Sequence, residues 1–188
     1  MMTITLEALA ANQDVANHLA ELCEFELQFG QAEPPFCSVD GAADLTVIAR
    51  DGAGGQFAMS PASRRIFYFS SEGQAGLLAE DFDIFITLIV HRPYWQDLLK
   101  YSAGGNLDEM CRAAPGLEDD WSADEDNEAS RAFLITQLDL GEPGDIVAAL
   151  HKAVSTTIDI RDPWGNATAS LFGTYTIDDN PMLKFASD

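Results

Sequence analysis

Between Glu118 and Glu128 the chain places seven carboxylates in eleven residues: Glu118, Asp119, Asp120, Asp124, Glu125, Asp126 and Glu128. Trp121 lies among them. A cluster of this kind can draw in a cationic partner, bind a hard cation, or simply stand in water at the start of a helix. The cation reading lacks the D-x-D-x-D-G spacing of a calcium loop. The partner reading takes the run as a dense anionic patch beside an aromatic anchor. The solvated reading needs only that acids favour a helix N-terminus, and both stay open. Glu72, in Ser70-Ser71-Glu72-Gly73, is a second candidate: a partner-facing carboxylate at a hairpin tip, in a turn whose Ser and Gly also serve turn geometry.

Bond-making chemistry needs a nucleophile beside a base, a metal cluster, or a paired acid and base. The three histidines, His18, His91 and His151, each stand alone on an expected helix or helix end. None falls in H-E-x-x-H or beside cysteines at zinc spacing. Gly52-Ala53-Gly54-Gly55 lacks the Lys-Ser/Thr pair of a phosphate loop. No catalytic residue, metal ligand or cofactor site is therefore assigned. Tyr94 and Trp95, at helical spacing after Pro93, read as core aromatics. Trp164 sits in the turn Asp162-Pro163-Trp164-Gly165.

Charge narrows the choice of partner. Thirty-one acids against ten bases give a formal charge of −21. Residues 1–100 contribute 14 acids and 5 bases (net −9), and residues 101–188 contribute 17 and 5 (net −12). Such a field opposes nucleic acid, whose binding depends on Lys and Arg displacing counterions, and opposes anionic membranes. A basic protein is attracted instead, fastest at low salt. The start, MMTITLEALAANQD, lacks the pattern of a signal peptide, and no run of apolar residues is long enough for a membrane span. Three widely spaced cysteines, Cys23, Cys37 and Cys111, fit reduced thiols in a cytoplasmic protein.

The elements that must position these residues can be read from periodicity. Residues 14–29 have helical spacing, with Asp14 as cap and Gly30 as stop. Pro34-Pro35 forces an extended connector. Strands follow at 45–50, 56–59, 65–69 and 75–79, the third a continuous apolar run expected to be covered on both faces. A helix from about Asp81 to Val90 puts Phe82, Phe85, Ile86 and Ile89 on one face. Pro93 starts a short helix, and Asn106 caps another that Pro115-Gly116 should stop. Ser122-x-x-Glu125 marks a helix start near Ala123. A helix at 145–155, a strand at Thr156–Ile160 and one strand at Ser170–Ile177 complete the expected series. The fold class expected is α+β: one domain with a twisted, mostly antiparallel sheet, packed helices and a helical C-terminal region.

The stretch from Gly54 to Leu99 resembles the SUKH superfamily, the group of the Smi/Knr-type fungal cell-wall regulators and many bacterial proteins. Gly55, Phe57, Ile66, Tyr68, Ser71, Glu72, Gly73, Ala79, Phe82, Phe85, Leu88, Ile89 and Trp95 carry the likeness. The resemblance implies a single domain over residues 1–188, with a helical extension from about residue 104. It implies no shared catalytic residues. It further implies a non-catalytic immunity protein that neutralises a secreted toxin, often a nuclease, by complex formation; the alternative is a scaffold or regulator of a signalling or cell-wall partner. An immunity role makes a basic protein toxin the expected partner.

Overall fold

Thr5 opens the first helix. Its hydroxyl accepts the Ala8 N–H at 3.2 Å, and α1 runs over Leu6–Ala11. Asn12 then caps α2, Gln13–Cys23, by accepting the Val15 N–H at 3.3 Å. The cap is thus Asn12 and not Asp14. Glu24 turns left-handed (φ +49°) and ends the helix short of the expected residue 29. The reason is Phe25, which is fully buried edge-on against Phe57 and Phe85, with ring centroids 5.3 Å from each. Packing that ring inward pulls the chain out of the helix and into β1, Glu26–Leu27. Described residues in this computed structural model are 3–28 and 33–180, so the expected stop at Gly30 lies outside them.

Beyond the Pro34-Pro35 connector come β2 (Ser38–Val39), β3 (Thr46–Arg50), β4 (Gln56–Met59), β5 (Ile66–Phe69) and β6 (Ala75–Ala79). Five of these strands form one antiparallel sheet in the order β1-β3-β4-β5-β6. Every residue of β5 is buried, and its alternation serves two cores. Ile66 and Tyr68 face the larger core with Phe57, Leu78 and Phe85. Phe67 and Phe69 face a smaller one with Ala58, Leu77 and Ile160. A strand covered on both sides needs no polar alternation, which is why β5 reads as an unbroken apolar run.

Asp81 caps α3, Phe82–His91, through the Asp83 N–H. α4 (Trp95–Lys100) follows, then α5 (Leu107–Ser122), α6 (Glu125–Gln137) and α7 (Ile146–Val154). Among the described residues no helix is long and apolar enough to cross a membrane. β7, Ile160–Arg161, pairs with β2 as a separate two-stranded sheet, so only the end of the expected Thr156–Ile160 strand forms. The architecture is α+β, with the sheet as its middle layer.

Two further expectations fail for physical reasons. Pro115-Gly116 does not stop α5. Pro115 forfeits one hydrogen bond, but it points to solvent, while Met110, Ala113, Gly116 and Leu117 are buried and carry the helix through. Ser170–Ile177 is not a strand. Its backbone instead laces onto the end of α4: Gly173 N–H donates to Leu99 C=O at 2.9 Å, and Gly104 and Ala103 N–H donate to Gly173 and Tyr175 C=O. A Cβ at Gly173 would meet the Lys100 carbonyl at 2.5 Å, so glycine permits this approach.

The turn before β4 is fastened by one buried carboxylate. Asp51 Oδ1 accepts the N–H of Gly55 at 2.7 Å and of Ala53 at 3.0 Å, and Oδ2 accepts the Tyr68 hydroxyl in a short hydrogen bond. A Cβ at Gly55 would lie 2.6 Å from Tyr68 Oη and 2.7 Å from Asp51 Oδ2. Gly55→Ala should therefore destabilise the protein by about 1–3 kcal/mol through overpacking. Thermal unfolding checks this; an unchanged midpoint would mean that the clasp shifts freely.

Candidate partner-binding surface

Because α5 continues past Pro115, the acidic run is not a loop. Glu118, Asp119, Asp120 and Trp121 occupy the last turn of α5, and Asp124, Glu125 and Asp126 open α6. Asp124 is the α6 cap, accepting the Asp126 N–H at 2.9 Å, so the helix starts on Asp124 and not on the Ser122–Glu125 box. Asp124, Glu125, Asp126 and Glu128 sit where the dipole of α6 favours negative charge. Asp119 and Asp120 sit at the wrong end of α5. They are exposed at a helix C-terminus whose last turn holds no basic residue, and each disfavours that end by about 0.3–1 kcal/mol. Helix chemistry therefore accounts for the α6 acids and leaves the α5 pair without a structural reason.

Glu118 is different. It is half-buried and faces inward between two guanidinium groups. Oε1 accepts from Arg131 Nη1 at 2.6 Å; Oε2 accepts from Tyr94 Oη at 2.5 Å and from Arg92 Nη1 at 3.4 Å. Burial alone would raise its pKa, but the bonds from Tyr94 and Arg131 and the charges of Arg131 and Arg92 outweigh this and hold it below the ordinary carboxylate range. Trp121 is also committed internally: the Arg131 guanidinium lies 4.0 Å from its ring centroid, and Asn127 Nδ2 donates to its carbonyl at 3.0 Å. These two residues tie α5 to α6 and to the end of α3.

Glu72 is exposed at the tip of the β5–β6 turn, where Ser70 Oγ accepts the N–H of Glu72 and of Gln74. Gly73 there has φ +88°, which suits glycine. From this tip a groove of about 500 Å³ runs between the turn, α4 and the 171–175 segment. Glu72, Gln96, Asp97, Lys100, Tyr68 and Tyr175 all line it. Tyr68 is fixed from below by Asp51 and accepts from Gln96 Nε2 at 3.4 Å. Tyr175 is half-exposed. The Asp97 pKa is raised by burial, relieved in part by Lys100 and reinforced by the charge of Asp120. That last influence joins the groove electrostatically to α5. Glu72 and Asp97 thus share one groove, and Asp120 acts on it through Asp97.

Asp97 and Tyr175 escaped the sequence reading. Asp97 shows only as a polar position on a short helix, and Tyr175 lay in a tail read as strand. The histidines are scattered: His18 stacks on Phe133, His151 Nε2 donates to Gly105 C=O at 2.8 Å, and His91 is buried, which lowers its pKa. Among the described residues no three His, Cys, Asp or Glu side chains converge as a metal site would require. Compared with protein-family models, curated proteins and solved structures, the chain matches none.

The lowered Glu118 pKa has a consequence for stability with a definite sign. The ionised form is favoured in the fold, so its contribution is present above the ordinary carboxylate range and is lost as pH falls through the lowered pKa. Glu118→Gln should destabilise by about 1–2 kcal/mol at neutral pH, leaving Arg92 and Arg131 without their shared counter-charge. The deficit should shrink steadily as the pH is lowered through the acid range. Denaturant unfolding of both proteins across pH checks it; a deficit independent of pH would show that only shape, not charge, is lost.

Proposed function

We propose that this chain is a non-catalytic binding protein of the SUKH type, acting in the cytoplasm as an immunity protein that neutralises a basic, nuclease-type toxin by one-to-one complex formation. The observation that carries the reading is the pair Asp119–Asp120, exposed at a helix end that disfavours them. A cationic partner removes that penalty on binding. Each of the chain's seven arginines already makes an internal ion pair with another carboxylate.

Mechanistically, the proposal needs only steering and occlusion. A nuclease holds phosphates with Lys and Arg, and the acidic band presents carboxylates to the same groups. The field speeds encounter, and aromatic contact at Tyr175 retains the complex. No bond is made or broken.

Co-expression with the protein encoded by the gene immediately upstream tests the proposal. Rescue of growth and a one-to-one complex are expected. Asp119→Asn/Asp120→Asn should slow association roughly tenfold at low salt and leave dissociation little changed, because exposed rim charges act mainly on the encounter rate. No rescue together with no complex would overturn the proposal. A complex whose association rate ignores salt would remove the electrostatic part of it.

A further inference from the structure

Trp164 is 83% exposed, more than any other large apolar side chain among the described residues. An indole in open water adds nothing to its own fold. The turn beneath it is nevertheless held by a dense set of hydrogen bonds. Asp162 Oδ1 accepts the N–H of Trp164 at 2.9 Å and of Asn166 at 2.8 Å, and Oδ2 accepts Asn166 Nδ2 at 3.0 Å. Asp162 N–H donates to Asn166 C=O at 2.9 Å, and Gly165 N–H returns to Asp162 C=O at 3.0 Å. Arg161 Nη1 donates to Gly165 C=O at 3.0 Å. The turn is therefore fixed before any partner arrives, and ordering it costs little on binding.

One groove takes in the turn, and a second shares residues with that groove. Asp162 and Pro163 form part of a groove of about 420 Å³ with Phe36, Val39 and Leu45. Phe36 is itself partly exposed, and the buried Gln56 anchors its backbone by accepting the Phe36 N–H at 2.7 Å. Val39 is shared with a second groove of about 320 Å³ that carries Asp40, Asp44 and Asp159. The cations nearby are engaged: Arg65 bonds Glu80 at 2.6 Å, and Arg161 bonds Asp159 at 3.0 Å. Asp40 and Asp44 are exposed. This acidic groove includes Phe67, on the opposite side of β5 from Tyr68, so the surface is distinct from the band of Glu72 and Asp120.

We infer that Trp164, with Phe36 and the Asp40–Asp44 groove, is a docking surface for a basic segment of a protein partner. An apolar side chain of that segment covers the indole and enters the Phe36 groove, and an adjacent Lys or Arg enters the acidic one. Charge selects this occupant. A second copy of the chain would bring a further −21, and nucleic acid or anionic lipid would be repelled by the same field. The inference rests on the proposal that the partner is a basic protein and adds a second surface, with an aromatic anchor, to it.

Selection of random peptides displayed on phage against the immobilised full chain tests it. The enriched peptides are synthesised and titrated against the native protein, Trp164→Ala, Asp40→Asn/Asp44→Asn and Asp119→Asn/Asp120→Asn. Enriched sequences should pair Lys or Arg with an apolar neighbour. Trp164→Ala should weaken them roughly tenfold or more, as loss of a buried aromatic anchor does, with no change in thermal midpoint. Asp40→Asn/Asp44→Asn should weaken them several-fold at low salt, and Asp119→Asn/Asp120→Asn less. Basic peptides that bind Trp164→Ala at native affinity would overturn this surface and leave the proposed function standing. Enrichment of no basic peptide would overturn both.

Discussion

Internal cations are scarce, and everything else about the surface follows from that. Arg92 and Arg131 converge on Glu118; Arg64 bridges Asp81 and Asp83; Arg50, Arg65, Arg112 and Arg161 each hold a carboxylate of their own. With ten bases against thirty-one acids, the chain carries far more carboxylates than cations to pair them. Exposed repulsions of this size are individually weak and screened within about 10 Å at ordinary ionic strength. They do not unfold the protein, but they leave a standing preference for a cationic surface.

That preference would be useless on a soft body. The sheet prevents this by being packed on both faces, with β5 contributing alternate side chains to two cores. Phe25, Phe57, Phe85, Tyr68 and Trp95 form a continuous run of ring contacts, with centroids 5.1–6.2 Å apart, beneath the α4 groove. The groove floor at Tyr68 is thereby locked from two sides, by rings and by the Asp51 clasp. On the far side, the Pro34–Phe36 connector is pinned to Gln56 and the Trp164 turn to Asp162. Both candidate surfaces therefore stand on local hydrogen bonds and buried rings.

The sheet and α3 were legible because their signals are local. The β-branched and aromatic runs, the Ser-Glu-Gly turn and the Asp81 cap each act within a few residues. What misled was non-local. Phe25 leaves a helical pattern because Phe57 and Phe85 wait for it in the core. Pro115 is overridden by the buried face on either side of it. The 170–177 segment binds to the end of α4, which no periodicity within the segment can reveal. The acidic run was found as a run but not sorted: nothing in its spacing distinguishes Glu118, held by Arg92 and Arg131, from Asp119 next to it. Asp97 and Tyr175 depend wholly on tertiary placement. Trp164 was placed in its turn, but its exposure is decided by the Asp162 bonds that hold the turn.

Charge of one sign attracts every basic protein alike, so it can set the speed of encounter but not the identity of the partner. Discrimination has to come from contacts with shape. Among the described residues the exposed rings are few and each is mounted differently. Tyr175 borders the groove of Glu72 and Asp97, and Trp164 stands on a turn whose every bond is made before binding. Charged residues with a helix-level explanation, such as those opening α6, add to the field without marking a contact. A ring in water beside exposed carboxylates is the combination for which the fold itself supplies no reason. Recognition is to be sought where the two coincide.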